Sequence, residues 1–157
     1  MTKILVVSDS HGTTEHMTQA VRDSMPDMMI HLGDGWHDAV KMRYQFPDLY
    51  VVQVPGNCDY VDDDLEKIID IDGKRILMCH GHQFSVKMGY GRILQEGLEK
   101  KADILLCGHT HIVCQDYYRG MAVLNPGTIG DVREPGRPTY GIIEINKGKI
   151  NIEAWCL

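Results

Sequence analysis

Two histidines with one residue between them, His109 and His111, follow the short apolar run 104–106. Such a run is typical of a buried strand, and Gly108 behind it indicates where that strand ends. In an extended chain, residues i and i+2 point to the same side and lie roughly 6–7 Å apart. Two imidazoles so placed can each bind one of two metal ions about 3.5–4 Å apart. Taken alone, the pair fits equally well with a loop histidine beside a packed one.

Other metal-binding residue types follow other short apolar runs. An Asp-x-His pair, a Gly-Asp pair, a Gly-Asn pair and a His-Gly-His motif each come where a predicted strand ends. Their side chains are Asp9, His11, Asp34, Asn57, His80 and His82. Each motif alone is typical of an ordinary turn or helix cap. Their recurrence predicts one shared site, because ligands bind beyond the carboxyl ends of the strands in open α/β sheets.

The donors divide into two sets around Asp34, whose two carboxylate oxygens can bind two ions. The first set is Asp9, His11, one oxygen of Asp34 and one histidine of the later pair. The second set is the other oxygen of Asp34, Asn57, His80 and the remaining histidine. Mixed nitrogen and oxygen donors suit Mn, Fe, Zn, Co or Ni better than a structural cysteine-type zinc site. Two adjacent dications would turn a bridging water into hydroxide near neutral pH and hold a tetrahedral phosphorus, which is phosphoester hydrolase chemistry.

The elements that position these donors follow from hydrophobic patterning. Predicted strands cover 3–7, 28–31, 50–54, 67–71, 74–79, 104–106, 113–118, 121–124, 140–145 and 149–155, and predicted helices cover 13–25, 38–46 and 91–101. The first half alternates strand and helix, which favours parallel strands with crossover helices. The second half is richer in strands, and Asp72-Gly73 predicts a hairpin turn. The pattern is that of an α/β protein.

Bulk properties exclude several classes of protein. The length of 157 residues fits one domain over 1–157, and the net charge of -6 without a Lys/Arg cluster argues against non-specific nucleic-acid binding. No apolar run reaches the roughly 18–20 residues of a membrane span, and the N-terminus lacks a signal peptide pattern. Five cysteines without a C-x-x-C pair predict reduced thiols in the cytoplasm. No Walker-type loop is present, so a nucleotide cofactor is not expected.

The order and approximate spacing of the motifs resemble those of the calcineurin-like metallophosphoesterase superfamily. The motifs are Asp9-x-His11, Gly33-Asp34, Gly56-Asn57-Cys58-Asp59, His80-Gly81-His82 and Gly108-His109-Thr110-His111. The Gly-Asn-Cys-Asp form and the later Asn125-Pro126-Gly127-Thr128 resemble its small single-domain bacterial and archaeal phosphodiesterase branch. The resemblance spans residues 3–128 and implies two packed mixed β-sheets flanked by helices, with a dinuclear centre at their edge. It implies one metal on Asp9, His11, Asp34 and His111, and the other on Asp34, Asn57, His80 and His109.

Cys58 departs from many superfamily members, which carry at this position a histidine that protonates the leaving alkoxide. A thiol with a pKa of about 8.5 is a poorer proton donor, and general acid catalysis contributes about 10²–10⁴-fold. The sequence therefore predicts a preference for good leaving groups, as in aryl phosphodiesters. Alternatively, Cys58 is only a small buried residue. Asp59 either orients the site or caps a turn, and His82 either contacts the substrate or a ligand or is structural.

The expected function is a phosphodiesterase that acts on a small phosphodiester with two divalent ions, Mn²⁺ foremost. One alternative is a phosphomonoesterase or nucleotide hydrolase with the same centre, for which Arg133 and Arg137 would supply extra positive charge. Another is a protein-binding scaffold like a retromer subunit, which a broad exposed apolar patch would favour. Of the remaining histidines, His16 and His37 are expected on the surface and His31 in the core. The natural substrate, the native metal and a homo-oligomeric state stay open.

Overall fold

The computed structural model of the protein describes residues 1–130, 132 and 136–157. The strands are β1 (Thr2–Val7), β2 (Met28–His31), β3 (Tyr50–Gln53), β4 (Glu66–Ile71), β5 (Lys74–Cys79), β6 (Ile104–Leu106), β7 (Val113–Tyr118), β8 (Met121–Pro126), β9 (Thr139–Asn146) and β10 (Lys149–Cys156). The helices are α1 (Glu15–Ser24), α2 (Trp36–Gln45) and α3 (Gly91–Glu99). Two single-turn 3-10 helices, His82–Phe84 and Val86–Met88, connect β5 to α3.

The strands form two five-stranded mixed sheets. The first has the order β10-β9-β1-β2-β3, in which β1, β2 and β3 are parallel. The second has the order β4-β5-β6-β8-β7, in which β5, β6 and β8 are parallel. The carboxyl ends of parallel neighbours meet at one edge of a sheet. The loops after β1 and β2, and those after β5 and β6, are therefore brought side by side.

Side chains that alternate along β1 pack against different layers of the fold. Ile4 and Val6 join a core cluster made by both sheets, whereas Leu5 and Val7 join a cluster with residues of α1 and α2. Leu77, in the second sheet, packs in a third cluster with Ile93 of α3. This alternation follows from the two-residue period of a strand. The result is a helix–sheet–sheet–helix sandwich, which confirms the predicted fold class.

Helix α2 starts two residues earlier than the predicted 38–46, and a distant side chain explains the difference. The Asp59 carboxylate accepts hydrogen bonds from the backbone N–H groups of Gly35 and Trp36, at 3.1 and 3.0 Å. A carboxylate stabilises a helix N-terminus by satisfying its free N–H groups. Because Asp59 lies beyond β3, its effect on α2 is not visible in local sequence.

The connection from β5 to α3 also differs from the sequence prediction, which placed no element there. Its two 3-10 turns are too short to leave a periodic pattern in the sequence. No helix among the described residues is long and apolar enough to cross a membrane.

Candidate metal centre

Backbone hydrogen bonds tie the loops at the strand ends to one another. The Asp9 N–H donates to the Gly33 carbonyl at 2.9 Å, and the His11 N–H donates to the Asp34 carbonyl at 2.9 Å. Across the second sheet, the Gly108 N–H donates to the His80 carbonyl at 2.9 Å. The loops after β1 and β2 thus form one unit, and those after β5 and β6 form another.

Several predicted ligands have left-handed backbone conformations. They are Asp9, His11, Asp34, His109 and His111, with φ between 46° and 69°. Such values are uncommon outside glycine, although Asp and His adopt them more readily than most residues, and each costs roughly 1–2 kcal/mol. Backbone strain of this kind is concentrated at functional sites, where the surrounding structure holds it in place. The clustering therefore marks these loops as a site.

Two motif glycines are required by close approach. A Cβ on Gly33, whose φ is 105°, would lie 2.6 Å from the Gly56 nitrogen and 2.9 Å from Nδ1 of His80. A Cβ on Gly108 would clash with the Ser8 hydroxyl and lie 3.0 Å from Oδ2 of Asp9. Side chains at either position would push the donor-bearing loops apart.

The structure brings six predicted ligands into two groups of three. In each group the donor atoms lie within 4.8 Å of one another. One group is Asp9, His11 and His111, and the other is Asp34, His80 and His109. This places His111 with Asp9 and His109 with His80, as the family resemblance implied. Their binding of metal ions stays a prediction.

Hydrogen bonds orient the imidazoles. His80 is fully buried, and its Nδ1–H donates to the Leu32 carbonyl at 2.7 Å. Its Nε2 therefore carries the lone pair when the ring is neutral, and it lies 3.3 Å from Oδ2 of Asp34 and 3.1 Å from Nδ1 of His109. Fixing one ring nitrogen in this way is how proteins present the other to a metal. Nε2 of His111 lies 3.0 Å from Oδ1 of Asp9.

The two buried carboxylates are held in their charged form. Burial alone would raise the pKa of Asp9, but His11, whose Nε2 lies 3.8 Å from Oδ1, and the hydrogen bond from His111 outweigh it and hold that pKa far below its usual range. Burial likewise opposes ionisation of Asp34, and the His80 imidazole, with Nε2 3.3 Å from Oδ2, still lowers the pKa of Asp34 to about 2. Burial, followed by the nearby charge of His80, lowers the pKa of His109 to about 4. Asp9 raises the pKa of His11, and Asp34 raises the pKa of His80 against the effect of burial, so a metal would displace protons from these two rings. The carboxylates and His109 already have the protonation states that bind metals.

The donor set fits divalent cations. Asp9 and Asp34 are 0% and 3% exposed, and within the described ranges 1–130, 132 and 136–157 only histidines lie within salt-bridge distance of them. Burying a carboxylate without a compensating charge is costly. Two such groups surrounded by imidazole nitrogens are well matched to ions that accept nitrogen and oxygen donors.

In the Gly-Asn-Cys-Asp loop, Asn57 and Cys58 make different contacts. Asn57 is exposed, and its amide donates to the Cys58 sulfur at 3.6 Å. The Cys58 Sγ forms a third group of possible ligands with His11 and Asp34, again within 4.8 Å. Sequence reasoning had placed no thiol among the donors. Because Cys58 is exposed, the alternative that it is a small buried residue is wrong.

Asp59 contacts backbone groups, and no contact to a predicted ligand side chain is among those described. Besides Gly35 and Trp36, its carboxylate accepts hydrogen bonds from the N–H groups of Asp34 and Gly56, at 2.7 and 2.8 Å. It therefore both caps α2 and fixes the backbone that carries Asp34. Of the two alternatives for Asp59, capping a turn is observed, and orienting the site stays a prediction.

His82 lies at the margin of the pocket. Its ring centroid is 5.5 Å from that of His80 and 6.2 Å from that of His109. Its Nδ1 is buried and has no hydrogen-bond partner among the described groups. Burial, and then the charge of His80, lower the pKa of His82. A contact with substrate stays a prediction. Arg133 lies outside the described residues.

A second ring of polar groups was largely missed by sequence reasoning. Nδ2 of Asn125 donates to the Gly108 carbonyl at 3.0 Å and to the Thr110 hydroxyl at 2.9 Å. Thr128 donates to the Asp9 carbonyl at 2.8 Å.

Behind the Asp-x-His loop lies a buried polar chain. The Ser10 hydroxyl donates to Oδ2 of Asp38 at 2.6 Å and accepts from Nε2–H of His31 at 2.9 Å. Nδ1 of His31 accepts from the Gly33 N–H at 3.1 Å, which fixes the tautomer. His31 is fully buried, as predicted, and His37 is exposed, as predicted. His16 is only partly exposed because its Nδ1 donates to the Ile129 carbonyl at 2.8 Å.

Curated proteins similar to this chain are metallophosphoesterases. A probable metallophosphoesterase from Mycoplasma pneumoniae is 31% identical over 96% of this chain and 94% of that protein. A probable metallophosphoesterase from Bacillus subtilis is 32% identical over 90% and 83%. A phosphodiesterase from Methanocaldococcus jannaschii is 27% identical over 92% and 94%.

Solved structures share the fold at lower identity. A conserved uncharacterized protein from Streptococcus pneumoniae superposes with a TM-score of 0.79 at 24% identity, over 99% of this chain and 89% of that one. Zinc-complexed Vps29 from Entamoeba histolytica superposes with a TM-score of 0.77 at 20% identity, over 98% of both chains. The sequence model of the calcineurin-like phosphoesterase superfamily domain matches residues 2–148. The chain therefore belongs to the calcineurin-like phosphoesterase superfamily.

Proposed function

We propose that the protein is a metal-dependent phosphodiesterase with a dinuclear centre. The observation that carries this proposal is the pair of donor groups, Asp9-His11-His111 and Asp34-His80-His109, which adjoin one another: Nε2 of His11 lies 3.8 Å from a carboxylate oxygen of Asp9 and 3.8 Å from one of Asp34. His11 and Asp34 also belong to a third group with Cys58, so the donor atoms form a continuous set. A pocket that accommodates two adjacent cations is the arrangement used to cleave phosphoesters.

Different residues of the site would have different roles in the reaction. When bound, divalent ions would acidify a water between them and stabilise charge on the phosphoryl oxygens. Asp9, His11 and His111 would hold one ion, and Asn57, His80 and His109 the other, with Asp34 shared. His80 is oriented for this role by the Leu32 carbonyl. Asp59 keeps the Asp34 backbone in place through its four N–H contacts.

The preference for a diester over a monoester rests on charge. A phosphodiester carries one negative charge, whereas a monoester carries up to two and calls for more cationic side chains. Lys87 and Arg137 are the described cations that line cavities next to the histidine pair, and both are exposed. A phosphomonoesterase or nucleotide hydrolase is the alternative within the same chemistry.

The donor atoms and the cysteines bear on the identity of the metal and on the cellular compartment. Nitrogen and oxygen donors favour Mn²⁺, with Zn, Fe, Ni and Co as alternatives, and a Cys58 thiolate would favour the softer of these. The substrate would be a small phosphodiester instead of a nucleic acid or a membrane lipid surface. All five cysteines are free, which is compatible with the cytoplasm. A homo-oligomer remains a further possibility that size measurements in solution would test.

A protein-binding scaffold is the candidate from another class, and one observation favours it. Exposed apolar side chains cluster on the loop and edge strand after the histidine pair: Ile112, Val113, Tyr117 and Tyr118. Exposed apolar patches often mark interaction sites. The likeness to Vps29, at 20% identity, concerns the fold. A scaffold, however, does not require a full set of converging metal-binding side chains.

The test is to load the purified protein with Mn²⁺, measure its metal content, and assay bis(p-nitrophenyl) phosphate beside p-nitrophenyl phosphate. We expect turnover of the diester, slower turnover of the monoester, and loss of both with a chelator. His109→Ala should lose activity, whereas His37→Ala, an exposed histidine on α2, should keep it. A loaded protein that turns over neither compound would contradict the enzyme proposal and favour the scaffold.

A further inference from the structure

An open groove of about 620 Å³ lies beside the predicted metal ligands. This size is within the usual range of small-molecule sites, about 300–1,000 Å³. Its walls are the second 3-10 turn with the two residues after it and the start of β7. The lining side chains that matter here are Val86, Lys87, Met88, Tyr90, Thr110 and Ile112.

The groove adjoins the loops after β5 and β6, which carry predicted metal ligands. Thr110, between the two histidines of the pair, is part of its wall. Asn125 connects that wall to the opposite one, because its Nδ2 donates to the Thr110 hydroxyl at 2.9 Å and to the Tyr90 hydroxyl at 3.1 Å. Val86 packs against Gly81, where an added Cβ would come within 2.9 Å of its Cγ2. A ligand in the groove would therefore lie against the loop that carries His109 and His111.

The lining is apolar, cationic and exposed at once. Met88 and Ile112 are 90% and 70% exposed, so large apolar surfaces face solvent on both sides of the groove. Tyr90 adds an aromatic ring, and Lys87 adds a positive charge. Aromatic rings combine apolar area with attraction to a nearby ammonium group. The surface thus complements an aromatic group attached to an anion.

We propose that this groove binds an aromatic ester arm of the phosphodiester, the arm that stays on phosphorus during cleavage. The inference rests on the proposed phosphodiesterase function. The choice of arm follows from position: Cys58, where relatives carry the leaving-group acid, clusters with His11 and Asp34, whereas the groove adjoins Thr110. The volume of the groove is that of a site for a small molecule, about 300–1,000 Å³, and is large enough for one aromatic ring.

The experiment varies the retained arm while the leaving group stays p-nitrophenolate. The probes are the p-nitrophenyl phosphodiesters of methanol, phenol and the 5′-hydroxyl of thymidine, so that an aryl ring and a nucleobase are compared. Burying one ring should lower KM about tenfold relative to the methyl ester. The phenyl and thymidine arms then identify which aromatic source fits better.

The double variant Met88→Ser/Ile112→Ser should bring the KM of the aromatic ester close to that of the methyl ester. Both side chains are exposed, so the fold tolerates their loss. Met25→Ser is the matched control, because Met25 lines a remote groove of about 560 Å³ between α1 and the end of α2. It should leave the KM ratio unchanged.

Two results would overturn the inference while leaving the phosphodiesterase function intact. One is equal KM values for methyl and aromatic esters in the unchanged protein. The other is an aromatic preference that survives in the double variant. Absence of turnover for all three diesters by metal-loaded protein would instead contradict the proposed function, and the groove assignment with it.

Discussion

Cys58 occupies the position at which many superfamily members carry a proton-donating histidine. Its backbone N–H donates to Oδ1 of Asp34 at 2.8 Å, so the side chain is anchored at the edge of the donor set. Burial, and then the Asp34 carboxylate, raise the pKa of its thiol. A thiol with a raised pKa is a poor proton donor to a leaving alkoxide, so we expect a preference for leaving groups that need no proton.

Replacing Cys58 with histidine should speed the cleavage of alkyl phosphodiesters. An imidazolium at this exposed position can protonate the departing alkoxide, and we expect kcat/KM to rise by at least about tenfold, within the range of general acid catalysis. The gain should be much smaller for esters of p-nitrophenol, whose anion leaves without a proton. Steady-state kinetics on both ester types measure the difference.

Cys58→Ser provides the control for this prediction. Serine keeps a small side chain without an imidazole, and it should not accelerate alkyl esters. Equal rates for the histidine variant and the unchanged protein on alkyl esters would contradict the missing-acid explanation.

His31 supports the site from within the core, and its burial makes stability depend on pH. Burial lowers the pKa of this fully buried imidazole to about 4, whereas the unfolded chain would titrate near 6.5. Between these values the unfolded chain binds a proton that the folded chain does not. The contribution of His31 to stability is therefore complete above about pH 7 and lost as the pH falls toward 4.

His31→Asn should remove this pH dependence, because asparagine retains an acceptor for the Gly33 N–H but does not titrate. The free energy of unfolding should fall relative to the unchanged protein at pH 7. That difference should shrink by about 1–2 kcal/mol at pH 5. Urea unfolding of both proteins with chelator present measures it, and a difference that is independent of pH would contradict the prediction.

At the scale of elements, the positions of the strands could be inferred from the sequence, but their order in the sheets and the geometry of the loops could not. Runs such as 28–31 and 113–118 alternate or cluster apolar residues strongly enough to define strands, and the structure has strands at these residues. The ends of the strands then predicted where donors collect. The left-handed backbone at Asp9, Asp34 and His109 depends on hydrogen bonds between loops that are distant in sequence, so local patterns do not encode it.

The same limit applies to side chains that act across the fold. The grouping of His111 with Asp9 came from family resemblance, since spacing alone left both histidines equivalent. The thiol of Cys58 was not expected near His11, because nothing in a Gly-Asn-Cys-Asp turn indicates which loop it faces. Asp59 likewise bonds to residues 34–36 only because β2 and β3 are neighbours in the sheet.

Asp59→Asn should destabilise the junction between β2 and α2. The amide cannot accept hydrogen bonds from four N–H groups as a carboxylate does, and hydrogen bonds to charged groups contribute about 1.5–3 kcal/mol each. We expect the free energy of unfolding to fall by about 2 kcal/mol or more in metal-free protein. Urea denaturation measures this.

The nearby exposed Asp62 offers a matched comparison. Asp62→Asn removes the same charge from the next turn of chain and should change stability by less than about 0.5 kcal/mol. If both variants lose equal stability, net charge explains the effect and the four backbone contacts of Asp59 do not.

At the scale of the whole molecule, the predicted ligands lie where the two sheets meet, and both sheets contribute them. Asp9 and Asp34 come from the first sheet, and His80 and His109 from the second. A cation bound between them would connect the layers in the folded state and have no equivalent site in the unfolded chain. Metal binding should therefore stabilise the entire fold as well as complete the pocket.

Saturating Mn²⁺ should raise the melting temperature relative to chelator-treated protein. Binding at about 100 times Kd stabilises the native state by about 2.7 kcal/mol, which corresponds to about 5–10 °C for a chain of this length. Asp34→Asn should abolish most of the rise, whereas Asp70→Asn, an exposed carboxylate on β4, should keep it. The rise should also be smaller at pH 5, because protonated imidazoles cannot bind metal and ions then compete with protons for His11 and His80. An equal rise in Asp34→Asn would place the stabilising ion outside this pocket.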